Sequence, residues 1–350
     1  MNNTIGIKEV AELAGVSIGT VDRVLHNRNG VSNKTASEVR KIIKETGYKK
    51  NTVASRLKLA KSKVINIAVL FPEEAKQKSH YWNLPIIGIE KAITELKEMG
   101  IRYQISFFKM NETNSFISAY NKILDSNVDG IISVSFFKDA CNELNFLTAK
   151  KNIPLVYIDT QLELSNTKYC IHQNAQIGGA VASRLLYQII GFHGNYLVIN
   201  LMTKSELNQN SHQREEGFRR FFKTENLPVH SLKSFNVSVK DLSPLINFLK
   251  SYQKESIPLG VFVTNSRAHL ISPLLEKLNL KSTTLIGYDL NKANRKLLES
   301  NKIQCIINQK PDFQGYTAIK GLFKYLTEGE EDQLLLDIPV EIVLKENLNQ

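Results

Sequence analysis

Four hydrophobic runs in this 350-residue chain end on polar side chains that could recognise a small molecule. PLVYID stops at Asp159, GVFVTN at Asn265 and TLIGYD at Asp289, and IQCIIN runs into Gln309. Carboxylates and carboxamides accept from or donate to adjacent hydroxyls, so such a set suits a polyhydroxylated ligand. Singly, each has a plainer reading, because an aspartate after a strand commonly caps a helix or makes a turn. Arg214, in HQREEGFRRFF, adds a planar fork able to hold two neighbouring oxygens. Tyr81 and Trp82 follow an early apolar run, where their faces could stack on a sugar ring or pack beneath a loop.

Catalysis finds little support. Asp159 and Asp289 have the form of an acid–base pair, but the same pair serves hydroxyl recognition equally well. The sequence has no G-x-S-x-G elbow, no phosphate-binding G-x-x-x-x-G-K-[ST], no H-E-x-x-H and no G-x-G-x-x-G opening a helix after a strand. Its seven histidines, His172, His193 and His212 among them, lack zinc-ligand spacing. No enzyme, cofactor or metal is expected.

Side chains at strand ends need strands to carry them. From residue 64 to about 345, apolar runs (VINIAVLF, IRYQISFF, DGIISVS, PLVYID, NYLVINL, GVFVTN, TLIGYD, IQCIIN) alternate with helical stretches. That alternation implies parallel sheets with crossover helices. Nine or ten strands are too many for one comfortable sheet, so two α/β lobes are expected. Open parallel sheets bind ligands beyond the carboxyl ends of their strands, which would bring the polar set together in a cleft between lobes.

The first 63 residues differ in charge and pattern. They hold 13 Lys and Arg against 5 Asp and Glu, a net +8 of the chain's +11, which marks a head for a polyanion. Three short helices are predicted. Ile7, Val10, Ala11 and Ala14 share a face before Gly15; Ser17 can cap a second helix with Val21, Val24 and Leu25 inward; Ser32 can cap a third carrying Val39, Ile42 and Ile43 to Gly47. Helix, glycine turn and helix within about 20 residues form a helix-turn-helix pattern. Its second helix would enter a DNA major groove, presenting Ile18, Gly19, Asp22 and Arg23. Arg23 suits a guanine edge, and Ser17 and Thr20 suit phosphates.

At this point the run IKEVAELAGVSIGTVDRVLHNRNGVSNKTASEVRKIIKETGY resembles the DNA-binding head of the LacI/GalR family of bacterial transcription regulators, and the remainder is similar to that family's periplasmic-binding-protein-like (type I) effector domain. The resemblance implies a helix-turn-helix domain over 1–50, a hinge helix and linker over 51–63, and a two-lobed effector-binding and dimerisation domain over 64–350. NTVASRLK resembles the hinge helix, which would place Asn51, Ala54, Arg56 and Leu57 on DNA, Leu57 as the wedge between base pairs. The resemblance assigns Asp159, Arg214, Asn265, Asp289 and Gln309 to the effector.

Three positions depart from the family. Asp22 replaces a serine, and would either accept from a cytosine amino group or pair with a nearby basic residue; Lys50 replaces the proline before the hinge. Arg267 stands where small or acidic residues are usual, and points to a negatively charged effector or to a surface salt bridge. The implied protein is a dimeric or higher-order repressor that binds operator DNA and a carbohydrate effector. A solute-binding protein that never touches DNA is the alternative. Cys141, Cys170 and Cys305 fit no Cys-x-x-Cys spacing and the N-terminus has no basic-then-apolar leader, so a cytoplasmic protein without a membrane segment is expected.

Overall fold

A computed structural model describes residues 5–25, 29–48, 64–162, 164, 166–203, 208–228, 231–254, 256–280 and 282–348, and the chain divides into two compact units, Met1–Ser62 and Lys63–Gln350. In the first unit α1 (Ile7–Leu13), α2 (Ile18–Leu25) and α3 (Asn33–Thr46) bury Val10, Ala11, Val21, Val24 and Val39 together. Ile42 and Ile43 pack against this core but are only partly buried. Four of the helix boundaries have a local cause. Ser17 Oγ accepts from the Thr20 amide at 3.1 Å and Ser32 Oγ from the Thr35 amide at 3.2 Å, while Gly15 (φ 60°) and Gly47 (φ 63°) take the left-handed conformation that ends α1 and α3.

The second unit is two α/β lobes, each built on a six-stranded sheet. The first lobe uses β1 (Ile65–Pro72), β2 (Ile101–Phe108), β3 (Gly130–Val134), β4 (Leu155–Asp159) and β5 (Tyr169–His172). The second uses β6 (Asn195–Met202), β7 (Leu232–Ser238), β8 (Leu259–Val263), β9 (Thr283–Tyr288) and β10 (Cys305–Asn308). Then β11 (Leu335–Asp337) returns to the first sheet and β12 (Glu341–Val343) to the second. The orders are β11-β5-β4-β3-β1-β2 and β12-β10-β9-β8-β6-β7, the same winding twice. Ile67, Val69, Ile131, Ile158, Val198 and Val261 have no exposed surface, because helices cover both faces. Each such side chain contributes roughly 1.5–3 kcal/mol.

Two expectations need correction. The described residues form twelve strands rather than nine or ten: β5, β11 and β12 are only three or four residues long, and β7, on an edge, exposes Lys233 and Asn236, so none carries a long apolar run. The second sheet is also not wholly parallel, since β12 pairs antiparallel with β10.

Helices α4 (Asn83–Leu96), α5 (Thr113–Leu124) and α6 (Lys138–Lys150) belong to the first lobe. The second holds α7 (Ala175–Ile190), α8 (Gln209–Thr224), α9 (Ser243–Leu249), α10 (Ala268–Lys277) and α11 (Lys292–Glu299), and α12 (Pro311–Glu328) returns to the first. The chain therefore crosses between lobes three times, near 173, 310 and 339. Gln173, buried, ties these crossings together: its Nε2 donates to the Asn308 carbonyl at 3.0 Å and to the Pro339 carbonyl at 3.4 Å. In each lobe two helices meet at glycines. A Cβ on Gly179 of α7 would lie 1.8 Å from the Arg214 carbonyl oxygen of α8, and one on Gly217 of α8 would lie 1.9 Å from the Gln176 carbonyl oxygen of α7. Gly88 and Gly315 do the same for α4 and α12. No helix among the described residues is long and apolar enough to cross a membrane.

Candidate functional site

The carboxyl ends of the two sheets face one cavity of about 370 Å³, a size usual for small-molecule clefts. All seven side chains singled out in the body line it: Tyr81 and Trp82 precede α4, Asp159 ends β4, Arg214 stands on α8, Asn265 and Asp289 follow β8 and β9, and Gln309 sits at the second crossing. Asp159 and Asp289 occupy equivalent places, each following the fourth-laid strand of its sheet or closing it. Both adopt left-handed backbone, φ 76° and 62°. Aspartate tolerates that region better than most residues.

The polar groups are organised in two clusters. In the first lobe Tyr81 Oη donates to Asp159 Oδ1 at 2.5 Å and accepts from Gln309 Nε2 at 2.7 Å, while Thr160 Oγ1 donates to Asp159 Oδ2 at 2.7 Å. Asn210, on α8 of the second lobe, reaches across: its Nδ2 donates to Thr160 Oγ1 at 3.0 Å and to Asp159 Oδ2 at 3.3 Å. In the second lobe Arg214 Nη1 donates to the Thr264 carbonyl at 2.7 Å and Nη2 to Gln309 Oε1 at 3.2 Å. Its guanidinium lies 3.5 Å from the centre of the Tyr288 ring. Tyr288 Oη in turn donates to Gln173 Oε1 at 2.5 Å, joining the cavity to the crossings.

Some expected groups are already employed within the protein. Asn265 Nδ2 donates to the Leu201 carbonyl at 2.8 Å and its Oδ1 accepts from the Arg267 amide at 3.3 Å, so this side chain also braces a strand end. Trp82 is only 6% exposed and meets Tyr81 and Phe136 edge-on at 4.9 and 5.2 Å, so it lines the cavity while packing among aromatics. By contrast, Arg214 Nε and Asp289 Oδ1 are buried and have no partner among the described residues. An unmet buried donor and acceptor each carry a desolvation penalty of about 1–3 kcal/mol.

Burial also sets the charge state. It pushes the Asp289 carboxyl up from 3.8 to about 7; Arg214 pulls it back down, the neighbouring Asp159 pushes it further up, and hydrogen bonds from Gln309 lower it. Asp159 is raised too, by burial, against the pull of Tyr81, Thr160 and Arg214. The folded protein therefore keeps a proton on Asp289 between about pH 4 and 7 that the unfolded chain has released. Stability falls as pH rises through that window, and the deficit persists above it. Asp289→Asn, which cannot ionise, is expected to be more stable than the native protein at pH 8 by an amount approaching about 4 kcal/mol, with the difference vanishing near pH 4. Urea unfolding at the two pH values measures it.

On the head, Ser17, Ile18, Gly19 and Arg23 are exposed, and Thr20 and Asp22 are half-buried. Ile18, at the first position of α2, is 43% exposed. Ser17 and Thr20 hydroxyls lie 3.0 Å apart and share one hydrogen bond. The Tyr48 phenol is held above its usual range by burial and then by the charge of Asp22, which puts that carboxylate beside the end of α3. Asn51, Ala54, Arg56 and Leu57 lie outside the described residues.

Sequence reasoning missed Asn210, Tyr288, Gln173 and Gln314, whose Oε1 accepts from the Asp159 amide at 2.8 Å. Asn210 and Tyr288 had a signal: one stands a helical turn before Arg214, the other directly before Asp289. Gln173 and Gln314 act through the crossings, which are invisible until the topology is known. Among the described residues no group of His, Cys, Asp and Glu could hold a metal ion.

Comparison with known proteins adds to this geometry. A family model described as periplasmic binding protein domain matches residues 69–331, and one described as bacterial regulatory proteins, lacI family, matches residues 6–51. The chain is similar to the HTH-type transcriptional repressor PurR of Histophilus somni, 27% identical over 354 residues and 98% of each chain. It is also similar to the ribose operon repressor of Lactococcus lactis, 23% identical over 350 residues and again 98% of each. Among solved structures, a putative LacI transcriptional regulator from Bacteroides fragilis superposes with a TM-score of 0.73 at 22% identity, covering 82% of this chain and 99% of that one.

Proposed function

This chain belongs to the periplasmic binding protein domain family, carries a lacI-family head and is a DNA-binding transcriptional repressor with an effector domain; from that premise we propose that a polyhydroxylated, sugar-like effector in the cleft controls its hold on operator DNA. The observation that carries the reading is the pairing of Arg214 Nε and Asp289 Oδ1. These are a buried donor and a buried acceptor without partners, in one cavity with Asp159, Gln309 and Asn210 around it. A ligand bearing adjacent hydroxyls supplies what both lack. Tyr81 and Trp82 offer aromatic edges to a ring.

The effector acts by binding one arrangement of the lobes better than another, and so biases which is populated. The protein acts as a dimer in the cytoplasm, because two heads on one duplex gain avidity that a single small head lacks. Exposed Ile87 and Phe313, on the helices that meet at Gly88 and Gly315, supply apolar surface for the pairing. In the head, Arg23 reads a base and Ser17 and Thr20 hold phosphate; Leu57 is the wedge in the minor groove.

Footprinting of the full-length protein on the promoter region beside its own coding sequence, with and without a metabolite panel, tests the reading. Protection of a pseudo-palindrome that changes with one metabolite supports it; equal occupancy of random fragments in every condition overturns it. Arg23→Ala is expected to weaken operator binding by about 10- to 100-fold while leaving random DNA nearly unaffected, since a bidentate base contact discriminates by about 1–3 kcal/mol. A comparable loss on both DNAs would make Arg23 a phosphate contact.

A further inference from the structure

Arg267 is the one cleft residue whose sequence context raised the question of charge. It stands on the second lobe immediately before α10 and lines the cavity half-buried. Its amide is hydrogen-bonded to Asn265, but its guanidinium has no hydrogen bond and no carboxylate within 4.0 Å among the described residues, so a salt bridge does not account for it. Glu74 is the acid whose charge it feels, from beyond ion-pair distance, and burial works against the cation. Arg214, the other guanidinium, gives its Nη atoms to Thr264 and Gln309 and lies over the Tyr288 ring, keeps Nε without a partner, and feels the charges of Asp289 and Asp159 from beyond ion-pair distance. Lys138, exposed on the first lobe, adds a third cation to the same cavity. The acids lining the cavity are Asp159 and Asp289, so positive charge is in excess even with both ionised.

From this unpaired guanidinium over a cation-rich cavity, we infer that the effector is an anion, a polyhydroxylated compound whose phosphate or carboxylate group is held by Arg267. The inference rests on the cleft being the effector site and narrows what that site takes. Arg267 acts as the specificity-determining residue: a partly desolvated fork meets two anionic oxygens in parallel, a geometry that lysine and glutamine do not reproduce. Hydroxyls of the same ligand are left to Asp159, Asp289, Asn210 and Gln309.

Full-length protein and its Arg267→Gln and Arg267→Lys variants are compared by calorimetric titration and melting shift. The probes are matched sets: glucose with glucose 6-phosphate and gluconate, and ribose, fructose and galactose with their phosphates and acids. The expected result is a phosphorylated or carboxylated member that binds at least tenfold more tightly than its neutral parent. Arg267→Gln should raise the dissociation constant of that member 10- to 100-fold, move the neutral parent less than threefold, and keep the native melting temperature within a few degrees; Arg267→Lys should recover part of the loss. Preference for the phosphate over the acid, or the reverse, identifies the anionic group. Binding of a neutral member as tight as its anionic counterpart, or an anionic member indifferent to Arg267→Gln, overturns the inference while leaving the cleft reading intact. Binding that ignores Asp289→Asn as well overturns the cleft reading itself.

Discussion

Arg214→Ala should raise the effector's dissociation constant by two to three orders of magnitude and lower the unfolding free energy by about 3–5 kcal/mol. Both effects have one cause. Arg214 is 3% exposed, its guanidinium lies over the Tyr288 ring, and its charge acts on both Asp159 and Asp289. Its removal takes the compensating charge away from two buried carboxyls, and an uncompensated buried charge is strongly destabilising. It also strips the Thr264 carbonyl and Gln309 Oε1 of their donor. The pH dependence separates this account from simple loss of packing. Without Arg214 both carboxyls should rise further, so the native state holds more protons than the unfolded chain over a wider range. The destabilisation should then be larger at pH 8 than at pH 5. Arg214→Met, which keeps most of the volume, should show the same trend; equal losses at the two pH values would assign the residue to packing alone. Titration calorimetry and urea unfolding give the two quantities.

Gly179→Ala is the second large effect, and it is produced by a single methyl group. An ordinary Cβ contact is about 3.4 Å or longer, yet here the new atom would stand 1.8 Å from the Arg214 carbonyl oxygen, which is backbone and cannot rotate away. Helices α7 and α8 must separate by more than an ångström, and their reciprocal contact at Gly217 opens with them. Overpacking of this kind costs about 3 kcal/mol or more when no side chain can give way. The displaced segment carries Arg214, so effector affinity measured on the folded fraction should fall at least tenfold. Gly88→Ala is the matched control: its Cβ would meet the Asp312 carbonyl oxygen at 1.8 Å, in the other lobe. It should destabilise similarly while affecting the effector less. Equal losses of affinity in the two variants would disconnect the α7–α8 contact from the site.

Much of this architecture is written in local pattern. Gly15 and Gly47 end helices because the left-handed conformation is free to them, and Val10, Val21 and Val39 fall at spacings that can only meet in a three-helix core. The strand ends were readable for a similar reason. A run such as TLIGY is buried on both sides, so the polar residue that follows it emerges at the carboxyl end of the sheet, and Asp289 does. What could not be read depends on distance in sequence. Asn210 and Asp159 meet across 51 positions and Gln309 and Tyr81 across 228, and no periodicity encodes either pairing. The short strands β11 and β12 owe their existence to the crossings, because three residues have no intrinsic preference strong enough to form a strand alone. Left-handed backbone at Asp159 and Asp289 was likewise hidden, since aspartate after a strand is compatible with several turns.

The threefold passage of the chain between lobes means that neither lobe is an uninterrupted stretch of the polypeptide. The lobe that begins first is also finished nearly last, by α12 and β11, after its neighbour has been laid down almost entirely. A chain stopped just past β10 would therefore leave its damage at the far end of the molecule's own chronology, stripping from the earlier lobe both the helix that covers β4 and an edge strand. Tail truncation is thus no route to a single free lobe, and on the ribosome neither half can complete its packing until the last few dozen residues have emerged.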